Sequence, residues 1–281
     1  MTTINCRGRL IDLSEPKVMA IVNVTPDSFY SGSRCPSTEA ALARADEALA
    51  QGADILDLGA YSTRPGAAEV PADEEWQRLQ PVVTELRRRH PQAVISIDTF
   101  RSSVAERAVD AGADIINDVS GGTLDEQMFA TVARLQVPYI LMHMRGTPAT
   151  MQQHTTYNNL LADVISELSQ PLRHLTDLGV HDVIIDPGFG FAKTLEQNYE
   201  LFAHLSEFSV FNRPLLVGIS RKSMIYKLFN ITPEQSLSAT TALNLLALKN
   251  GASILRVHDV PEAVQVVKMW QMMNQACAGK L

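Results

Sequence analysis

The chain has 281 residues, 46% of them hydrophobic and 20% charged, which is enough apolar material for one sizeable buried core. Its formal net charge of −7 and the lack of a long Lys/Arg run argue against a general nucleic-acid surface. No stretch approaches the roughly 20 apolar residues that a membrane span needs, so we expect no membrane partner.

The start of the chain and its cysteines both indicate a reducing compartment. The first residues lack the basic and then apolar pattern of a secretory signal. Cys6, Cys35 and Cys277 lie far apart and form neither a CxxC metal pair nor an evident disulfide framework. Free thiols are typical of the reducing cytoplasm, and we therefore expect a cytoplasmic protein.

Short apolar runs recur along the whole chain. They are rich in Ile, Val and Leu and are bounded by turn residues, as strands buried on both faces usually are. Eight such runs predict eight strands, at residues 18–22, 54–58, 94–97, 114–116, 139–142, 183–185, 215–217 and 254–257.

Amphipathic helical patterns separate these runs, and a glycine often follows the helix, as at residues 51–54, 111–114 and 250–253. Glycine just past a helix end can adopt the left-handed conformation that closes the helix. The alternation predicts an α/β fold, a single (β/α)₈ TIM barrel over residues 1–281, with residues 1–16 as a short N-terminal cover. A doubly wound open sheet is the alternative, and the lack of G-x-G-x-x-G after the first strand counts against it.

Each predicted strand ends in a polar residue. A closed barrel points such residues toward one mouth, so we expect an active site at the carboxyl ends of the strands. The strand-end residues are Asn23, Asp57, Asp98, Asn117, Asp118, His143, Asp186, Ser220, Arg221, Lys222, Arg256 and His258.

These side chains divide by charge into two predicted sets. Asp98, Asn117 and Asp186 are acceptors with little to neutralise them, which favours a planar ligand with N–H donors, such as an amino-pyrimidine. The basic set favours an anion or phosphate site, and it contains Arg64, Arg221, Lys222, Arg256 and His258.

Simpler interpretations stay open for several of these residues. Asp98 or His258 could cap the helix that follows, and Arg221 would ordinarily face solvent. Asn23 is a neutral oxygen ligand that could help to hold Mg²⁺ whose other ligands are water and phosphate. The pattern at 142–144, Met-His-Met, is better explained by a strand than by a copper site.

Longer motifs surround these strand ends and occur in order along almost the whole chain. They are N-V-T-P-D-S-F at 23–29, S-T-R-P-G at 62–66, I-D-T at 97–99, I-N-D-V-S-G-G at 116–122, M-H-M-R-G-T-P at 142–148, D-P-G-F-G-F at 186–191, G-I-S-R-K-S at 218–223 and R-V-H-D-V at 256–260. On these motifs the chain resembles the dihydropteroate synthases, pterin-binding TIM-barrel enzymes of folate biosynthesis.

The resemblance implies a transferase in which 4-aminobenzoate displaces pyrophosphate from a 6-hydroxymethyl-7,8-dihydropterin diphosphate. It implies that Asp98, Asn117, Asp186 and Lys222 bind the pterin, and that Phe191 is a further substrate-binding residue. It also implies that the Asp98 carboxylate stabilises positive charge on the pterin methylene as the diphosphate departs.

The same resemblance assigns the remaining substrate contacts. Asn23 is expected to hold Mg²⁺, while Arg256 and His258 bind the diphosphate and Ser220 contacts the 4-aminobenzoate carboxylate. A loop carrying Thr63, Arg64 and Pro65 is expected to close over pyrophosphate and 4-aminobenzoate, so the implied catalytic residues are Arg64, Asp98 and Lys222. The family is typically dimeric, which implies a homodimer.

Several positions depart from the family pattern: Tyr61 replaces a common Glu, Ala192 a common Gly and Thr155 a common Pro, and Tyr30-Ser31 varies the first loop. Other functions also stay open, namely a methyl-folate:corrinoid methyltransferase barrel and a non-catalytic pterin-binding paralogue. A Schiff-base aldolase using Lys222 is a further alternative, but the start of a helix is a poor place for a desolvated lysine of low pKa.

Overall fold

An antiparallel hairpin begins the part of the chain that the structure, a computed structural model, describes: residues 3–24, 36–61, 70–277 and 279. Strand β1 (Thr3–Cys6) pairs with β2 (Arg9–Asp12). Ile4, Cys6 and Leu13 are buried against an apolar layer formed by the strands that follow. The hairpin therefore packs over one end of the main sheet.

Eight parallel strands form the main sheet. Its strand order, β8-β7-β6-β5-β4-β3-β10-β9, follows the chain around a circle. A parallel bridge between Ile185 and Leu215 joins the two ends, and the predicted (β/α)₈ barrel is confirmed. The strands are β3 (Lys17–Asn23), β4 (Ile55–Gly59), β5 (Val94–Asp98), β6 (Ile115–Asp118), β7 (Tyr139–Met142), β8 (Val183–Asp186), β9 (Leu216–Val217) and β10 (Ile254–Val257).

Helices alternate with these strands and cover the outer face of the barrel. In the described ranges they are α1 (Pro36–Ala50), α2 (Ala72–Arg89), α3 (Ser102–Asp110), α4 (Met128–Leu135), α5 (Leu160–Asp177), α6 (Leu195–Ala203), α7 (Ser223–Phe229), α8 (Leu237–Lys249) and α9 (Val260–Cys277). Gly52, Gly112 and Gly251 follow helices with φ of +99°, +116° and +97°, which confirms the predicted left-handed closures. None of the helices described is both long and apolar enough to cross a membrane.

Two apolar layers result from the alternation of side chains along each strand. Outward residues such as Leu56, Ile97 and Leu141 pack with the helices in the larger core. Inward residues such as Ile55 and Ile184 fill the barrel at the amino ends of the strands, together with the hairpin. The carboxyl ends are therefore left for the polar side chains.

Candidate active site

A polar layer lies inside the barrel directly beyond the apolar one. Because inward positions recur every second residue, Ile55 of β4 is followed inward by Asp57, and Val94 of β5 is followed by Ser96 and Asp98. The same strand pairing aligns Asp57 with Ser96 across β4 and β5. The barrel thus brings the predicted strand-end residues together.

Asp57 is the centre of this layer and is fully buried. One carboxylate oxygen accepts a hydrogen bond from Ser96 Oγ at 2.6 Å. The other accepts from Asn117 Nδ2 at 3.0 Å and from Arg256 Nε at 2.7 Å. Asp57 therefore orients two predicted ligand-binding residues, although the sequence placed it only at a strand end and not among those residues.

Arg256 joins the acidic and basic sets that the sequence separated. Its Nη2 donates to Asp98 Oδ2 at 2.7 Å, while its Nε donates to Asp57. Burial opposes the charged guanidinium, but Asp57 and Asp98 together raise the pKa of Arg256 above its usual range. The expectation that the acids lack a local cation was wrong, because the closed barrel pairs β10 with β3 and points Arg256 across the interior toward Asp57 and Asp98.

Asp98 faces the mouth at the end of β5. Burial raises the pKa of its carboxyl to about 7 against the lowering effect of Arg256, and Asp57 adds to the increase. Helix α3 begins at Ser102, whose backbone N–H donates to Asp125. The observed partner of Asp98 is thus Arg256 and not the end of this helix.

Asp186 and Lys222 lie on the two sides of the loop between β8 and α6. Asp186 Oδ1 accepts from Gly188 N at 2.8 Å, and burial raises the pKa of Asp186. Lys222 Nζ donates to Phe189 O at 2.6 Å and lies 4.8 Å from the centre of the Phe191 ring.

The expectation that Lys222 would stay solvated was wrong. Burial lowers the pKa of its amine to about 8, although Asp186 raises it. Gly190 has φ of +81° and a Cβ there would lie 3.1 Å from Lys222 Cδ, so the loop passes close over the lysine stem.

Ser220 and His258 form a second pair at the mouth, 3.1 Å apart from Oγ to Nδ1. Ser220 Oγ also accepts from the backbone N–H of His258 at 3.2 Å. Arg221, expected to face solvent, instead donates to both oxygens of Asp259 at 2.9 and 2.6 Å. Ser220 and His258 are therefore held together. The ion pair between Arg221 and Asp259 links the segments that follow β9 and β10.

Asn23 ends β3 with an exposed side chain. Within the described ranges no three His, Cys, Asp or Glu residues are grouped as metal ligands. A single exposed amide oxygen fits a Mg²⁺ ion bound mainly through water and a substrate phosphate. The predicted loop residues Thr63, Arg64 and Pro65 lie outside the described residues.

Apolar side chains flank the polar layer on one side. Phe191 is half-buried against a cluster that includes Val119, Met142 and Met144. Phe100 packs against the same cluster, and the ring of Tyr61 contacts Phe100 edge-on at 5.2 Å between ring centres. Tyr61 is one of the positions that depart from the family pattern. The arrangement suits a planar ring with polar edges and apolar faces.

Comparison with known proteins gives a consistent result. The family model described as pterin binding enzyme matches residues 19–258. A dihydropteroate synthase of Escherichia coli K12 is 43% identical over 266 residues, covering 94% of this chain and 93% of that protein.

Two solved structures of Xanthomonas albilineans dihydropteroate synthase are similar over nearly the whole chain. One, with 4-aminobenzoic acid, has a TM-score of 0.90 at 39% identity and covers 97% of this chain and 98% of that one. The other, in complex with 7,8-dihydropteroate, has a TM-score of 0.87 at 37% identity with the same two coverages.

Proposed function

The chain belongs to the dihydropteroate synthase family of pterin-binding enzymes, and we propose that the residues of its barrel mouth carry out the family's reaction as follows. In that reaction 4-aminobenzoate displaces pyrophosphate from a dihydropterin diphosphate and gives 7,8-dihydropteroate. The chain is thus a transferase. The observation that carries the residue assignment is the inner polar layer, in which Asp57, Asn117 and Arg256 share one hydrogen-bond network.

The pterin ring binds between the acceptors and the apolar cluster. Asp186 and Asn117 accept from the N–H groups of the ring, and Lys222 donates to its carbonyl and ring nitrogen. The amide nitrogen of Asn117 donates a hydrogen bond to Asp57, and the amide oxygen, Asn117 Oδ1, stays available as an acceptor for the ring. Phe191 covers one face of the ring.

The bond from the pterin methylene to the diphosphate oxygen breaks, and both electrons leave with the oxygen. The Asp98 carboxylate stabilises the positive charge on the methylene, and Arg256 and His258 bind the departing anion. The amine of 4-aminobenzoate, with its carboxylate near Ser220, then attacks and loses one proton to the pyrophosphate or solvent. Arg64, on the 62–69 segment, is proposed as a further cation for the pyrophosphate.

Magnesium fits this scheme at Asn23. Mg²⁺ bound there would neutralise part of the diphosphate charge and so favour its departure. Asn23 supplies one neutral ligand and adds no charge of its own, which suits a metal ion that arrives with the anionic substrate.

We further propose that the protein is a cytoplasmic homodimer with one domain over residues 1–281. Exposed apolar side chains on three helices that follow one another in the chain, each at least 46% exposed, support the dimer. We call them the α7–α9 patch: Leu228, Phe229, Leu246, Met269, Met272 and Met273. The hairpin that packs against the barrel supports inclusion of the N-terminal segment in the same domain.

A pyrophosphate-release assay tests the proposed function. We expect the purified protein with Mg²⁺ to release pyrophosphate only when the pterin diphosphate is supplied, and to form dihydropteroate when 4-aminobenzoate is added. Asp98→Asn serves as the matched variant, because it keeps the shape of the side chain and removes its charge. Pterin binding without either product would contradict the assignment and favour a non-catalytic paralogue.

A further inference from the structure

A buried lysine, Lys193, belongs to the loop between β8 and α6, and its side chain has no place in the reaction above. It is 3% exposed. Its Nζ lies 2.9 Å from Gly188 O, 3.0 Å from Phe191 O and 3.0 Å from His143 Nδ1. An ammonium group has three protons, and these three acceptors use all of them. Lys193 is therefore occupied by the protein and does not serve as a nucleophile.

Keeping an amine at this position has an energetic cost. Burial lowers the pKa of Lys193 to about 7, and the nearby Lys222 adds to the decrease while Asp186 opposes it. An apolar side chain of similar length would avoid this desolvation. The three hydrogen bonds of the amine offset part of this cost.

Both ring nitrogens of the histidine partner, His143, have hydrogen-bond partners. Burial lowers the pKa of His143 to about 4, so the ring is neutral and Nδ1 can accept from Lys193. The proton is then on Nε2, which lies 3.0 Å from Glu167 Oε2. Arg145 Nε donates to both oxygens of Glu167, at 3.1 and 3.0 Å. A chain of polar contacts thus runs from beneath the loop to α5 at the surface.

The loop that carries Lys193 has an irregular backbone. Gly188, Gly190 and Ala192 have φ of +69°, +81° and +50°, so alternate residues adopt the left-handed region. Such a segment does not form a strand ladder; Gly188 O accepts from the backbone N–H of Phe191 at 3.1 Å, and further hydrogen bonds to the loop carbonyls come from side chains. Lys193 donates to two of them, Gly188 O and Phe191 O, and Tyr157 Oη donates to Ala192 O at 2.9 Å.

This loop contacts three residues proposed to bind the pterin. It carries Phe191, its Gly188 N–H donates to Asp186, and its Phe189 carbonyl accepts from Lys222. A shift of the loop would therefore displace the aromatic cover and the lysine donor together. Such a displacement would affect the pterin more than 4-aminobenzoate.

We propose that Lys193 is a positioning residue for the pterin: its ammonium fixes the carbonyls of Gly188 and Phe191 and thereby places Phe191 and Lys222 against the ring. The inference rests on the proposed function, since it concerns the affinity of the same site. It assigns to Lys193 no contact with either substrate.

Lys193→Met tests the proposal, because it keeps the length of the side chain and removes all three donors. We expect the KM for the pterin diphosphate to rise about tenfold or more, with the KM for 4-aminobenzoate changed less than about twofold. Calorimetry should show the same loss of affinity for the pterin diphosphate alone. Lys249→Met, the same change at an exposed site on α8, should leave both constants at the wild-type values.

A second variant covers the case in which Lys193→Met does not fold. Glu167 is half-exposed at the outer end of the chain of contacts, so Glu167→Leu should fold and raise the pterin KM by a smaller factor, about twofold to fivefold. A wild-type pterin KM in either folded variant, or an equal rise for both substrates, would overturn the proposal. Turnover by the wild type tests the function separately, so the two failures are distinguishable.

Discussion

At the scale of single residues, opposing electrostatic effects determine the pKa of Asp98. Burial and Asp57 raise the pKa of its carboxyl to about 7, while Arg256 at 2.7 Å lowers it. The side chain therefore changes charge near neutral pH. A carboxylate that stabilises a developing cation acts only when it is ionised.

We expect kcat/KM for the pterin diphosphate to increase with pH up to about 7 in the wild type, since the raised pKa leaves Asp98 protonated below that value and ionised above it. Above that pH, Lys193 and Lys222 lose their protons, because burial lowers their pKa values to about 7 and about 8, and kcat/KM should fall again. Asp98→Asn should lower kcat by a factor on the order of 10² or more and remove this acid limb. The pH–rate profile, recorded from about pH 5.5 to about pH 9 at constant ionic strength, measures both effects.

Asp110→Asn is the matched control, because Asp110 is exposed on α3 and away from the mouth. It should keep both the rate and the midpoint of the acid limb. An acid limb with the same midpoint in Asp98→Asn would assign the titration to another group, and the role of Asp98 would be contradicted.

Asp57 shows where sequence reasoning stops at the residue scale. Its position in an apolar run predicts burial and a strand end, and both are observed. Its three partners come from β5, β6 and β10, up to 199 positions away in the chain. These partners come together only because the barrel closes and β10 pairs with β3. Asp57 therefore lies at the centre of a network that no local pattern in the sequence indicates.

At the scale of elements, the β8–α6 loop contains a strained position. Ala192 is fully buried with φ of +50°, where the family commonly has glycine. The left-handed conformation costs a residue with a Cβ roughly 1–2 kcal/mol. Glycine at this position would avoid that cost. Most of the stability gained would be offset by the loss of the buried methyl group and by the larger conformational entropy of glycine in the unfolded state.

Ala192→Gly should therefore leave the free energy of unfolding unchanged or raise it by up to about 1 kcal/mol. Ala43→Gly, at an exposed position inside α1, should lower it by about 0.5–1 kcal/mol, because glycine weakens a helix interior. Urea denaturation of both variants measures the difference. A loss in Ala192→Gly as large as that in Ala43→Gly would show that the position is not strained.

Strands and helices were predictable because their signals are local. Each barrel strand is a short apolar run, and glycine after a helix marks the turn into the next strand. Lys193 has no such signal: a lysine in a glycine-rich loop ordinarily faces solvent. Its burial depends on His143, which directly follows β7, and on the path of the loop, and both are tertiary features.

At the scale of the whole molecule, the site and the α7–α9 patch are distinct. The described residues of the proposed site lie at the carboxyl ends of the strands, inside the barrel mouth. The patch lies on the outer helices, where a second copy would cover apolar side chains that are now exposed. We therefore expect the proposed dimer to add stability without completing the site.

Leu246→Arg tests this separation, because it places a charge within the patch on α8, where Leu246 is 46% exposed. We expect analytical ultracentrifugation to show a shift from dimer to monomer, since an unpaired charge is costly at a buried interface. Leu10→Arg is the control: Leu10 is 73% exposed on the hairpin, outside the patch, and its change should leave the dimer intact.

The Leu246→Arg monomer should keep the wild-type KM for the pterin diphosphate and unfold at a lower temperature, since it loses the burial of the patch but no residue of the polar layer. An unchanged sedimentation coefficient would place the interface elsewhere, and a monomer unable to bind pterin would mean that the partner contributes to the site.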